Sequence, residues 1–151
     1  NAKIMAENIA TGLAELFPEK KSFFVQNYSD FAEKLDSLTE HLKLILKPFS
    51  GQAIIVFHPA FGYFTDRFGL RQRAIEIEGK EPGPRQMVNL IRRAKAENIR
   101  VIFVQQQFSS RAAQTIADSI SGTVVAIDPL AEDYLVNLGN IAQKIYHGLN
   151  R

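Results

Sequence analysis

Four short apolar runs, each followed by residues at helical spacing, set the narrowest limit on what this chain can fold into. The runs are AIIVF (residues 53–57), RAIEI (73–77), VIFV (101–104) and TVVAI (123–127). Three of them are β-branched and almost continuously apolar. Strands covered by helices on both faces read this way, because side chains of either parity then meet core instead of water. Between and after them lie helical stretches. PRQMVNLIRRAKAEN begins with Pro84 at a first-turn position, SRAAQTIADSI follows the candidate caps Ser109 and Ser110, and DYLVNLGNIAQKIYHGL opens at Asp133. Such alternation joins parallel strands through right-handed crossovers. The expected fold class is α/β, an open parallel four-stranded sheet flanked by helices.

Upstream of the break at residues 48–51 the spacing is helical throughout. Ile4, Ile9, Leu13 and Leu16 fall near one face, and Phe17-Pro18 interrupts the segment. From Phe24 the apolar positions step through Tyr28, Phe31, Leu35, Leu38, Leu42 and Ile45, the seam of a long amphipathic helix. One helix over residues 19–47 would be about 40 Å long. That exceeds a single lobe of this size, so it reads as a linking strut. The expected organisation is a helical segment over 1–50 and an α/β lobe over 51–151.

Charge and composition exclude several functions. Eighteen basic residues are interleaved with 16 acidic ones for a net charge of +2, without the basic stripe that neutralises phosphates, so no nucleic-acid partner is expected. With no cysteine, thiol catalysis and thiolate zinc sites are excluded. Apolar runs such as IIVF fall far short of the ~20 residues of a transmembrane segment. Asn1 opens directly into helical sequence with no initiator Met and no secretory signal, the expected look of a piece beginning inside or just before a helix.

In an open parallel sheet, ligands bind beyond the carboxyl ends of the strands. His58 follows AIIVF, Gln105, Gln106 and Gln107 follow VIFV, Asp128 follows TVVAI, and RAIEI carries Glu76 and runs into Glu78. An imidazole and a carboxylate at one edge suit zinc or manganese ligation, or a general-base dyad. The plainer roles are a helix cap for His58 and a turn cap before Pro129 for Asp128. A dyad enzyme also needs a nucleophile; Ser109 and Ser110 lack a G-x-S-x-G setting. Metal ligation is the better chemical expectation, with half of a tetrahedral site present. Other candidates have simpler roles. His41 reads as a solvated helix residue, and His147 complements a helix end. Arg71 and Arg73 read as surface charges, residues 79–84 as a turn and the aromatics of FGYF (61–64) as packing groups. The Asn27-Tyr28-Ser29 sequon falls within the helix.

HPAFGYFTDRFGL, EIEGKEPGPRQMVNLIRRAKAENIRVIFVQQQFSSRAAQTIADSI and VVAIDPLAEDYLVNL together closely resemble the zinc and manganese receptors of ABC transporters, the cluster A-I or cluster 9 solute-binding proteins. The resemblance covers essentially the whole chain, with NAKIMAENIATGLAEL similar to the helix after the family's H-x-W-x-S/D-P motif. It implies a linking helix followed by the C-terminal lobe of a two-lobed receptor, periplasmic or lipid-anchored outside the cytoplasmic membrane. The N-terminal lobe and its ligands would lie upstream of Asn1. Such a receptor is not an enzyme. It holds one divalent cation and delivers it to a membrane permease. By motif match, the metal residues are His58 of HPAFGYF and Asp128 of IDPL. The implied ligand is Zn2+, with Mn2+ as the alternative; EGKEPGPR is more similar to the zinc branch. A surface adhesin is the second functional class and a small α/β hydrolase using His58 and Asp128 the third. VQQQFS departs from the family's usual V-E/Q-P-Q-F-S by placing Gln106 where proline is common.

Overall fold

The computed structural model describes residues 1–77, 79–108 and 111–150. It comprises two compact units, Asn1–His41 and Leu42–Arg151. From the start of the chain, α1 (Ala2–Leu16) ends where Phe17 leaves helical geometry, and Pro18 opens the 3-10 turn Pro18–Lys20 before α2 (Lys21–Leu46). Its 26 residues make α2 about 39 Å long. Along the expected seam, Leu35 and Leu42 are buried and the other five positions are half-buried. Helix α1 buries nothing, and Ile4, Met5, Ile9 and Leu16 are exposed. Lys3 Nζ reaches Asp36 Oδ2 at 2.6 Å and joins α1 to α2.

The second unit is built on β1 (Ala53–Val56), β2 (Arg71–Ala74), β3 (Val101–Gln105) and β4 (Thr123–Ile127), all parallel in the order β2-β1-β3-β4. Between β1 and β2 lies the short α3 (Gly62–Arg67). Helices α4 (Pro84–Ala96), α5 (Arg111–Ser119) and α6 (Tyr134–Leu149) complete the lobe. Alternate strand residues face different cores. Ala53, Ile55, Ile102 and Val104 join Ala94 of α4 and Ala113, Ile116 and Ala117 of α5 in one cluster. On the opposite face Val101 and Phe103 meet Gly148 of α6 so closely that a Cβ there would stand 3.0 Å from Phe103 Cζ. Leu42, Leu46 and Phe49 are also buried in this unit, and Phe49 packs edge-on against Tyr146.

Pro84 occupies the first turn of α4, and the Asp133 carboxylate caps α6 by accepting from the Val136 N–H at 3.1 Å. Ser109 and Ser110, the expected caps of α5, lie outside the described residues, as does Glu78. The strand expected over 73–77 is displaced. The ladder instead pairs Arg71 to Ala74 with Ala53 to Val56, and the chain bends at Ile75 and Glu76. The reason is positional: β2 is an edge strand, so its ladder segment tolerates polar residues that an apolar pattern does not detect. Arg73, expected as a surface charge, is half-buried and forms a two-pronged ion pair with Glu97.

Candidate metal site

The carboxyl edge of the sheet brings three loops together. Val56 is level with Phe103, and Phe103 with Val125, so His58 and Asp128 emerge at nearly the same height with β3 between them. Strands lie about 4.8 Å apart, which separates their backbones laterally by roughly two spacings.

Each side chain is anchored to its own surroundings. The last backbone rung from β1 to β3 is the Phe57 N–H donating to the Phe103 carbonyl at 2.9 Å. Beyond it the strands continue pairing through a side chain. Fully buried Gln105 accepts from the His58 N–H at 3.1 Å and donates to the His58 carbonyl at 2.6 Å. This amide fixes the backbone from which the imidazole projects. The ring is then held by Glu76, whose Oε1 lies 2.6 Å from Nδ1, and by Phe108, which stacks on it at 5.0 Å and 19°. The Glu76 side chain is only 6% exposed and that of His58 is 41% exposed, so the supporting acid is inside and the ring faces out.

That arrangement assigns the ring's chemistry. With Glu76 as the accepting carboxylate, Nδ1 carries the hydrogen and the lone pair of a neutral ring lies on Nε2. Nε2 has no hydrogen-bond partner among the described residues. A carboxylate behind an imidazole is the recurrent support of a metal-binding histidine.

Asp128 is held differently. Its Oδ1 accepts the Leu130 N–H at 2.9 Å and Gln107 Nε2 at 3.1 Å, while Asn137 donates to its backbone carbonyl at 2.7 Å. The Leu130 N–H, the Gln107 amide and the positive Lys144 hold the carboxyl below the usual carboxylate range against a smaller opposing effect of burial. The turn role expected of Asp128 is therefore present, leaving Oδ2 without a described partner.

Some sequence expectations are corrected here. His58 does not cap α3, whose N-cap is Phe61. Among the described residues no hydrogen bond joins His58 to Asp128, and the carboxylate that meets the ring is that of Glu76. Of the FGYF aromatics expected to pack, Phe61 is buried but Tyr63 is 84% exposed. Among the described residues no three His, Asp or Glu side chains form a metal-holding group. The candidate donors are thus an imidazole nitrogen and a carboxylate oxygen in loops that follow separate strands, a pair that suits a divalent cation and falls short of a full tetrahedral shell.

Comparison with known proteins places these features in context. Residues 1–148 match the family model described as zinc-uptake complex component A, periplasmic. The high-affinity zinc uptake system protein ZnuA of Brucella abortus is 32% identical over 135 residues, which is 88% of this chain and 40% of that protein. The Haemophilus influenzae ZnuA is 28% identical over 133 residues, or 87% of this chain and 40% of its own length. A crystal structure of ZnuA superposes with a TM-score of 0.94 at 38% identity, covering 97% of this chain and 56% of that one. The laminin-binding protein of Streptococcus agalactiae, described as both adhesin and metal transporter, gives 0.86 at 29% identity, covering 94% of this chain and 58% of that one. The chain thus spans about half the length of these relatives or less. No helix among the described residues is long and apolar enough to cross a membrane.

Proposed function

The chain belongs to the zinc-uptake complex component A family, a family of receptors and not of enzymes, and from that premise we propose that it grips Zn2+ as cargo in an extracytoplasmic receptor and passes it to an ABC permease. His58 Nε2 and Asp128 Oδ2 are the two donors this chain supplies. The carrying observation is the buried Glu76 behind His58, which presents the second ring nitrogen outward at the sheet's carboxyl edge. Aspartate adds a hard oxygen donor from a neighbouring loop, and ligands supplied from elsewhere would complete the shell. Because the shell is shared, assembling the ligands and enclosing the ion become one event.

Titration calorimetry with zinc chloride tests this. Complete structural zinc sites bind with ~10–16 kcal/mol. Two donors retain only part of that, so zinc should bind this chain with a micromolar or weaker Kd, about 8 kcal/mol or less. His58→Ala should abolish the signal. Glu76→Ala should weaken it ~10–100-fold, as loss of an outer partner does at other metal sites. Nanomolar binding by the monomer, or an undiminished signal in His58→Ala, would contradict the proposal. The likeness to a laminin-binding adhesin supports a second reading, surface attachment; immobilised laminin retaining the chain regardless of zinc would favour it.

A further inference from the structure

Resting on the assignment of Asp128 as a ligand, we infer that Gln107 is a specificity-determining residue, restricting Asp128 to one coordinating oxygen and so biasing the site toward zinc over manganese. A carboxylate oxygen offers about two lone-pair directions. Both are taken on Oδ1, one by the Leu130 N–H at 2.9 Å and the other by Gln107 Nε2 at 3.1 Å. Only Oδ2 is left to meet a cation.

The consequence follows from coordination chemistry. Zinc sites are commonly four-coordinate and are satisfied by a single carboxylate oxygen beside imidazole. Manganese favours larger, oxygen-rich shells, which a two-oxygen grip helps to fill. The Leu130 contact belongs to the turn backbone, so it persists whatever side chain occupies position 107. Gln107 supplies the removable half of the restraint, and its exposure makes substitution structurally mild. Its place is suggestive for a second reason. Gln105 binds the His58 backbone and Gln107 binds Asp128, so alternate residues at the end of β3 tend the two ligands separately.

The test compares wild type, Gln107→Ala, Gln107→Leu and Asp128→Ala in calorimetric titrations with zinc and manganese, each protein first checked for cooperative metal-free unfolding well above the titration temperature. Both Gln107 variants should shift the ratio of zinc to manganese affinity toward manganese by ~10-fold, the lower end of effects from outer partners. Infrared difference spectra with manganese should show a one-oxygen carboxylate signature in wild type and a two-oxygen signature in the variants. If Asp128→Ala weakens zinc binding yet both Gln107 variants keep the wild-type ratio, the inference about Gln107 fails alone. A two-oxygen signature already present in wild type overturns it too. If Asp128→Ala leaves both affinities unchanged, the ligand assignment fails and the inference with it.

Discussion

Asp128 combines two roles that compete for its oxygens. As a turn former it turns Oδ1 inward to the Leu130 N–H, and as a candidate ligand it leaves Oδ2 outward. Hydrogen bonds to Oδ1 favour the ionised form, which is why its pKa is lowered. A carboxyl with a lowered native pKa contributes stability that is complete above its unfolded value, ~3.9. That contribution disappears as the pH falls through the lower native value. Metal-free wild type should therefore melt above Asp128→Asn from neutral pH down to about pH 4, with the gap closing in more acid solution. Melting curves from pH 7 to pH 2 check this, and a gap that widens toward acid would contradict it. At this scale the site was partly legible. A histidine and an aspartate directly after β-branched runs announce themselves, since strand ends in parallel sheets face the ligand crevice. Glu76 was visible as an acid in an apolar run, but its pairing with His58 across 18 positions was not. Phe108 was hidden for the same reason: a ring stacks through space, and no spacing rule encodes it.

Elements succeed or fail by the closeness of their neighbours. The turn from α5 into β4 runs close beside the residue before β3, where the Arg100 carbonyl accepts the Thr123 N–H at 2.8 Å. A Cβ on Gly122 would lie well inside contact distance of that same carbonyl oxygen. Backbone cannot move aside as a side-chain tip can. Gly122→Ala should cost ~1–3 kcal/mol, the usual cost of overpacking, measured by urea unfolding. Gly139 has nothing within 4 Å of its Cβ position, so Gly139→Ala on α6 should instead be neutral or stabilising, by up to ~1 kcal/mol. The contrast between two glycines distinguishes close approach from propensity. Pattern reading placed β4, the other edge strand, because TVVAI is β-branched and almost continuously apolar, yet it displaced β2. An edge strand pairs on one side only, and Arg71, Gln72 and Arg73 supply that pairing through backbone that carries no apolar signature.

The whole chain distributes its burial unevenly. Ala32 and Leu35 are the buried apolar residues of the first unit, whereas β1 and β3 of the second are buried along their full lengths. Local opening is governed by such differences in buried apolar contact. Native-state hydrogen exchange should find α1 amides exchanging at least ~100-fold faster than those of Ile54, Ile55, Ile102 and Phe103, a gap of about 2.7 kcal/mol. Equal protection in both would contradict it. Fold class, the seam of α2 and the helix ends near Pro18 and before residues 48–51 were readable from the order of residues, because periodicity and backbone chemistry act between near neighbours. What tertiary structure alone decided is which side chains work together. The Gln105 clamp, the Glu76 support and the Gln107 restraint each join residues from different strands or loops, and their effect depends on distances set only when the sheet assembles.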